Sequence, residues 1–378
     1  MIGADRIRVG VVGCGLIAQV MHLPNLRAMA ERFELVALCD LSPTLLDAVG
    51  DAYGVERRTT SVEDLLSDDV DAVMVLTSGS HAPIATAAVR AGRHVFVEKP
   101  LCVSVDEGSA LVEEAERAGV RLMVGYMKRF DPAYERLAIE LPSLQPIRAA
   151  RLTTLESPLE PYVAHHPILR GEPPPAEALA SLRDRDAALV RDALGDVPAE
   201  IARAYRERLL DSMVHELNAV RGLLGEPDAV EYARIRPEGV TVVLRFGSIE
   251  CVASWIDLPG SARYRQEWAF QGDRRRALLE LPSPFLRDVP MLLSFEDGEP
   301  GNPASTRTER IESYESGFSR ELAEFHAAIT HGREPRTSGA DALADVALST
   351  AIVRAHLDEG PIEAPTRLPG GRSPRSSS

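Results

Sequence analysis

The chain has 378 residues, more than a single hydrophobic core usually organises, so two domains are expected. Its 45% apolar content is that of a globular protein and excludes a largely disordered chain. With 42 Lys and Arg against 57 Asp and Glu, the net charge of −15 repels nucleic acid and anionic membranes at long range, while a local basic pocket remains allowed.

Residues 1–6 read as a loose leader without a charged-then-apolar signal, and no run of about 18 apolar residues follows, so a cytoplasmic protein without a membrane partner is expected. Arg8 to Val12 forms a short apolar strand running into Gly13-Cys14-Gly15-Leu16-Ile17-Ala18, the G-x-G-x-x-G/A spacing of a dinucleotide-binding turn. Gly13 permits the tight turn, Gly15 lets backbone approach a pyrophosphate with no Cβ in the way, and Ala18 lets the next helix pack close. First-turn N–H groups, those of Leu16 and Ile17 among them, would face the phosphates. Glycine pairs also occur in plain βα turns, so context decides. A helical stretch, Gln19 to Glu31, leads to a second strand, Phe33 to Cys39, closed by Asp40. A carboxylate there accepts ribose hydroxyls and repels a 2′-phosphate, and no Arg or Lys stands at 41–44. NAD rather than NADP is therefore expected. The bland alternative is that Asp40 caps a surface turn before Ser42-Pro43.

Further strands are expected at Ala72 to Leu76, His94 to Val97 and Leu122 to Val124, with helices at Pro43 to Tyr53, Val62 to Leu66, Pro83 to Ala91 and Val105 to Ala118. Gly54, Gly92 and Gly119 stand where helices need a left-handed terminator. This alternation predicts a parallel sheet covered on both faces over residues 1–125. Two strand ends carry polar chemistry: Thr77-Ser78-Gly79-Ser80-His81, and Glu98-Lys99-Pro100. A Lys at the carboxyl end of a strand, followed by a Pro of fixed φ, is a positioned cation. The cysteines, Cys14, Cys39, Cys102 and Cys251, have no metal or redox spacing and read as reduced, packed thiols.

Three blocks, Val11-Val12-Gly13-Cys14-Gly15, Ala91 to Pro100 and Gly125-Tyr126-Met127-Lys128-Arg129-Phe130, resemble the Gfo/Idh/MocA oxidoreductases. The middle block is the most specific. The resemblance implies that Lys99 reaches both the nicotinamide ribose and a substrate hydroxyl, that Thr77, His81 and Glu98 lie near the cofactor, and that Lys128 and Arg129 lie near substrate at the domain junction. Thr77-Ser78 departs from the family's usual Thr-Pro, which leaves the path of that loop open.

From 126 to 363 the texture changes. Strand-length runs at Ile147 to Glu156, Val230 to Arg236, Thr241 to Phe246, Ile249 to Ile256, Tyr264 to Gln271 and Arg276 to Leu281 are joined by turn residues such as Pro237-Glu238-Gly239, Gly247-Ser248 and Gly272-Asp273. A mostly antiparallel sheet in an α+β domain is expected. The resemblance makes it an open-faced sheet that packs on a partner subunit, in a homodimer or homotetramer. Residues 157–197 read as an insertion, a lid or substrate-contacting arm, or else a solvated excursion shielding the sheet or an interface. It opens with prolines and continues as a charged helix from Ala176 to Leu194 ended by Gly195. Within it, His165 and His166 would point apart in extended chain and make a poor metal pair, so no metal is expected. A further helix runs from Pro198 to Leu224, with Gly225 as terminator. Helices at Tyr314 to Thr330 and Ala340 to His356 resemble the segment that braces the first domain in the family. The composition of 364–378 predicts a disordered tail.

On the helix before Gly225, Asp211 and His215 are four residues apart and share a face. Together with Leu223-Leu224-Gly225-Glu226-Pro227 they resemble the family's Asp-x-x-x-His motif. The resemblance makes His215 the acid/base, Asp211 its neighbour on the substrate and Lys99 the third member, with Asn218 one turn on as a further substrate contact. Oxidising a secondary alcohol needs a base near neutral pH and a cation beside the oxygen. By itself such a pair is also compatible with a core histidine on an amphipathic helix. The activity implied is NAD-dependent oxidoreduction of a secondary hydroxyl or ketone on a polyhydroxylated small molecule, a sugar or cyclitol. Two other readings stay open: a redox-neutral epimerase, eliminase or glycosidase recycling bound NAD, and a non-catalytic NAD-binding sensor.

Overall fold

The computed structural model describes residues 6–364 apart from 68, 262 and 359; the expected leader, up to residue 5, and the expected tail, from 365, lie outside them. Six parallel strands, β1 (Ile7–Val12), β2 (Phe33–Cys39), β3 (Arg57–Thr59), β4 (Ala72–Val75), β5 (His94–Glu98) and β6 (Leu122–Gly125), form one sheet in the order β3-β2-β1-β4-β5-β6. The order reverses between β1 and β4, the switch point where doubly wound sheets take a dinucleotide. Because strand side chains alternate, Val73, Val75, Val95 and Val97 bury on one face while Met74 and Phe96 bury on the other. The sequence pattern does not reveal β3, whose three residues are too few for one. The helices Pro43–Tyr53 and Val105–Ala118 begin on the side-chain caps of Ser42 and Ser104 and end on Gly54 and Gly119 at φ of 70° and 68°.

Among the described residues the second sheet has nine strands: β7 (Ile147–Glu156), β8 (Ala229–Arg236), β9 (Gly239–Phe246), β10 (Ile249–Asp257), β11 (Arg265–Gly272), β12 (Arg275–Leu281), β13 (Leu292–Gly298), β14 (Ser305–Arg310) and β15 (Ile362–Glu363). Their order is β14-β13-β12-β11-β7-β10-β9-β8-β15. All pairs are antiparallel except β7 with β10, which makes the sheet mixed. One cross-strand row, Ala233, Val242, Ala253, Leu152, Trp268, Leu279 and Leu293, is buried throughout. The adjacent row faces outward, with Tyr232 exposed beside half-buried Val243 and Val252.

Between β7 and β8 the chain crosses back to the first sheet. Leu169 and Gln19 exchange hydrogen bonds of 2.8 and 3.1 Å, Glu172 N–H donates to Thr44 Oγ1 at 2.7 Å, and Ser42 Oγ donates to the Glu172 carbonyl at 2.6 Å. Residues 168–172 thus strap the carboxyl ends of β1 and β2. The helix Ala176–Leu194 follows, and then a continuous helical rod made of Ala199–Ala204, a π-helical stretch Tyr205–Met213, and Val214–Leu224 ending on Gly225. Pro198 caps this rod rather than lying inside it. Expected to point apart, His165 and His166 instead have ring centroids 4.1 Å apart, because the chain turns after the short helix Glu160–Val163. The helix Gly317–Thr330 buries Leu322 and Phe325 with Phe96 and Met123 of the first sheet. The helix Gly339–Leu357 lies on the other face. No described helix is long and apolar enough to cross a membrane.

Candidate active site

At the end of β1, Gly13 has φ 96°, and a Cβ there would stand 2.8 Å from the Leu76 carbonyl carbon, so only glycine serves. Beyond Gly15 a Cβ would meet nothing within 4 Å. Gly15, Leu16 and Ile17 open onto a cavity of about 620 Å³ whose wall continues through Thr77, Glu98, Lys99, Lys128, Asp211 and His215. The Thr77 hydroxyl is buried there with no partner. Asp40 accepts from Cys14 N–H at 2.8 Å and Ser42 N–H at 2.9 Å, so it fastens the glycine turn and caps its own. A carboxylate has about four acceptor sites, which leaves lone pairs for ribose hydroxyls. An open approach at Gly15, an unpaired Thr77 hydroxyl and an acidic β2 end together fit NAD and disfavour a 2′-phosphate.

Lys99 follows β5, and its ammonium is fixed by Asp211, donating to Oδ1 at 2.7 Å and to the backbone carbonyl at 2.6 Å. Asp211 comes from the π-helical stretch, where i→i+5 bonding widens the turns; such segments concentrate at functional sites. Four residues on, His215 faces the same cavity with Nδ1 unpartnered and its ring edge-on to Tyr126, centroids 6.0 Å apart. Burial above all, then the charges of Lys128 and Lys99, pulls its pKa well below the usual 6.5, so the imidazole is neutral at pH 7. Asp211 commits Oδ1 to Lys99, so the structure pairs it with the ammonium, and its remaining acceptor sites stay open on the cavity wall.

Lys128 is 5% exposed, its Nζ 3.5 Å from Glu216 Oε1. That oxygen also accepts from Thr154 Oγ1 at 3.0 Å and from Gln266 Nε2. Sequence reasoning passes over Glu156, which ends β7 at the cavity wall and accepts from Trp255 Nε1 at 3.3 Å. Asp186 of the inserted helix and Arg206 and Glu207 of the π-helical stretch line the cavity as well.

His81 lines the same cavity; it is 1% exposed, with its ring nitrogens against the carbonyls of Pro100 at 2.5 Å and Thr77 at 2.8 Å, so the ring also ties the two loops together. Two residues expected at the substrate lie elsewhere. Asn218 is fully buried, donating to Asp341 at 2.8 Å and Asp345 at 2.7 Å. Arg129 donates to Asn218 and Asp341 at 3.3 and 3.0 Å. Neither lines the cavity, because helix Gly339–Leu357 supplies partners behind it.

Lys99 and Lys128 are the only lysines in the chain, against 40 arginines, and both stand in this cavity. Arginine cannot be deprotonated and presents a broad fork, whereas lysine is a compact charge whose pKa follows its surroundings. All four cysteines are free and buried, with Cys14, Cys39 and Cys251 pushed up to about 12 by burial. Among the described residues no group of three His, Cys, Asp or Glu is placed to hold a metal.

Residues 7–126 match the GFO_IDH_MocA family model, described as an oxidoreductase family with an NAD-binding Rossmann fold. Inositol 2-dehydrogenase of Rhizobium meliloti is 26% identical over 351 residues, 92% of this chain and 96% of that protein. Myo-inositol 2-dehydrogenase of Thermotoga maritima is 25% identical over 353 residues, 89% and 92% of the two chains. In fold, the chain resembles levoglucosan dehydrogenase solved with NADH and L-sorbose, at a TM-score of 0.74 and 19% identity over 95% of this chain and 99% of that one. The switch-point crevice, its acidic ribose end and the family match agree over the first sheet: residues 7–126 are the NAD-binding Rossmann domain of the Gfo/Idh/MocA oxidoreductases, and the full-length relatives extend the likeness to the rest of the chain.

Proposed function

We propose that the protein oxidises a secondary hydroxyl of a sugar, cyclitol or similar polyol with NAD, or reduces the corresponding ketone. One observation carries the reading: a neutral imidazole, His215, and an ammonium held by Asp211, Lys99, meet in one cavity beside the glycine turn. NAD, when bound, takes up or returns the hydride. His215 accepts the hydroxyl proton, and Lys99 polarises the oxygen and stabilises the developing alkoxide. Asp211 holds the ammonium in place, and Lys128, on the same cavity wall, holds a second hydroxyl in this reading. The full-length relatives named as inositol dehydrogenases support a polyol substrate.

The test is absorbance of reduced nicotinamide over a panel of sugars, cyclitols and nucleotide sugars, with Lys99→Ala and His215→Ala alongside. NADH formation with a polyol, lowered by about 100-fold or more in both variants, is the expected result. Full activity in either variant overturns the role of the residue it lacks.

A second reading, recycling of a retained cofactor with no net use of NAD, is favoured by the strap. Residues 168–172 bridge Gln19 on one side of the crevice and Ser42 and Thr44 on the other, directly past Asp40. Exchange of a dinucleotide bound beneath them requires those hydrogen bonds to open.

A further inference from the structure

We propose that His22 and His81 are positioning residues for Lys99, two buried imidazoles that grip the Lys99-Pro100 segment at its two ends. Glu98 Oε2 accepts the Lys99 backbone N–H at 3.2 Å, while its Oε1 lies 2.6 Å from His22 Nε2. At the other end His81 Nδ1 lies 2.5 Å from the Pro100 carbonyl and Nε2 2.8 Å from the Thr77 carbonyl; burial lowers the pKa of this ring, and its neutral form has one N–H, which in the Nδ1–H tautomer donates to Pro100. With Asp211 on Nζ, the only lysine of the first sheet is held at its N–H, at the next residue's carbonyl and at its tip.

His22 has 0% and Glu98 6% exposure. The His22 ring stands edge-on to Phe96 and Phe318, centroids 5.4 and 5.7 Å away, and its Nδ1 has no partner. A phenyl ring would pack among these aromatics without an orphaned nitrogen, so the imidazole is there for its Nε2 bond. Nearby Glu321 is fully buried with both oxygens unpartnered; burial and the Glu98 charge push its carboxyl well above the usual range, which favours the protonated form. His22 ends the turn that follows the phosphate-facing glycines, and His81 follows the Thr77 loop. His81 thus lies in the wall of the cavity, and His22 in the element directly behind Gly15, Leu16 and Ile17 of that wall. A displacement of about 1 Å at a reacting group costs on the order of 100-fold in rate, which is the scale at which such a clamp matters.

The inference rests on Lys99 acting at the substrate oxygen, and the test separates the two. Because the chain has two lysines, full-length protein carrying lysine labelled with ¹³C at Cε shows two side-chain signals, assigned by Lys99→Arg and Lys128→Arg. His22→Phe and His81→Phe are expected to move the Lys99 signal and leave that of Lys128 in place. His22→Gln, whose amide nitrogen falls near Nε2, is expected to restore it, and His22→Asn, which reaches only to Nδ1, is not. In turnover of the polyol that gives NADH fastest, His22→Phe should lower kcat by about 10- to 100-fold, with KM and NADH affinity, read by fluorescence, within about threefold. An unmoved Lys99 signal in both phenylalanine variants overturns the proposal. So does a fall in NADH affinity matching the fall in kcat, which would make the rings cofactor ligands. Where a phenylalanine variant does not fold, equal signals in His22→Gln and His22→Asn overturn it instead. Undiminished NADH formation by Lys99→Ala would refute the catalytic reading, while the Lys99 signal still reports on the clamp.

Discussion

His215 sits where its cation is opposed by burial and by two neighbouring ammonium groups. Its pKa is depressed in the folded chain and near 6.5 in the unfolded one, so between those values the unfolded state binds a proton that the folded state does not. Stability therefore rises with pH through that window, and the penalty is gone above 6.5. For catalysis the same depression keeps the base neutral in mild acid. We predict that kcat/KM for alcohol oxidation stays level as pH falls through 6.5, with any acid limb lying lower; a limb centred at or above 6.5 would contradict a desolvated imidazole flanked by two cations. The two lysines teach a related lesson at this scale. With arginine used 40 times elsewhere, each remaining lysine marks a place where a fork-shaped, permanently charged group will not serve. That signal lies in plain composition and would have singled out Lys99 and Lys128 together. His22 left no such trace, because its role depends on Glu98, which is 76 positions away.

Among the elements, the strap is held by backbone approach as much as by side chains. A Cβ at Gly171 would stand 2.5 Å from Leu45 N and 2.7 Å from Ser42 Oγ, so any other residue pushes the segment outward. If the strap retains cofactor, protein purified without added NAD carries it, released on denaturation and visible by absorbance and mass, and Gly171→Val is predicted to lose it and to raise the NAD dissociation rate by about tenfold or more. Identical dissociation rates in the two proteins would leave the strap without that role. Helix limits were legible because they are coded locally, by Ser42 and Ser104 at starts and Gly54, Gly119 and Gly225 at ends. Strands β7 to β12 were legible for their turns. In contrast β13 and β14 went unseen: Leu292–Gly298 does not alternate cleanly, and Ser305–Arg310 is polar and exposed along its whole length. The π-helical stretch was invisible too, since a hydrophobic pattern does not distinguish i→i+4 from i→i+5 bonding. Asn218 misled because helix Gly339–Leu357 claims it, a partner over 120 residues away.

The whole molecule is bound together more tightly than its two sheets suggest. Leu322 and Phe325 fill one face of the parallel sheet, Thr337 Oγ1 donates to the Val124 carbonyl at 2.7 Å, and Ser338 bridges to Met123. Truncating Phe325 to Ala is expected to cost about 3–5 kcal/mol. A fragment covering residues 6–145 leaves Phe96, Met123 and Phe130 uncovered, so we predict that it exposes apolar surface, binds the dye ANS and fails to bind NAD, and that added peptide 313–358 restores compactness. A fragment that is monomeric and binds NAD by itself would show that the helix is dispensable. During synthesis at about 5–20 residues per second, the first sheet leaves the ribosome on the order of 10 to 40 s before the helix that seals it. Central β7 likewise waits for β10 and β11, its neighbours on either side. The nascent chain thus carries two unfinished cores until its last helices emerge, so its apolar faces stay uncovered for most of its translation.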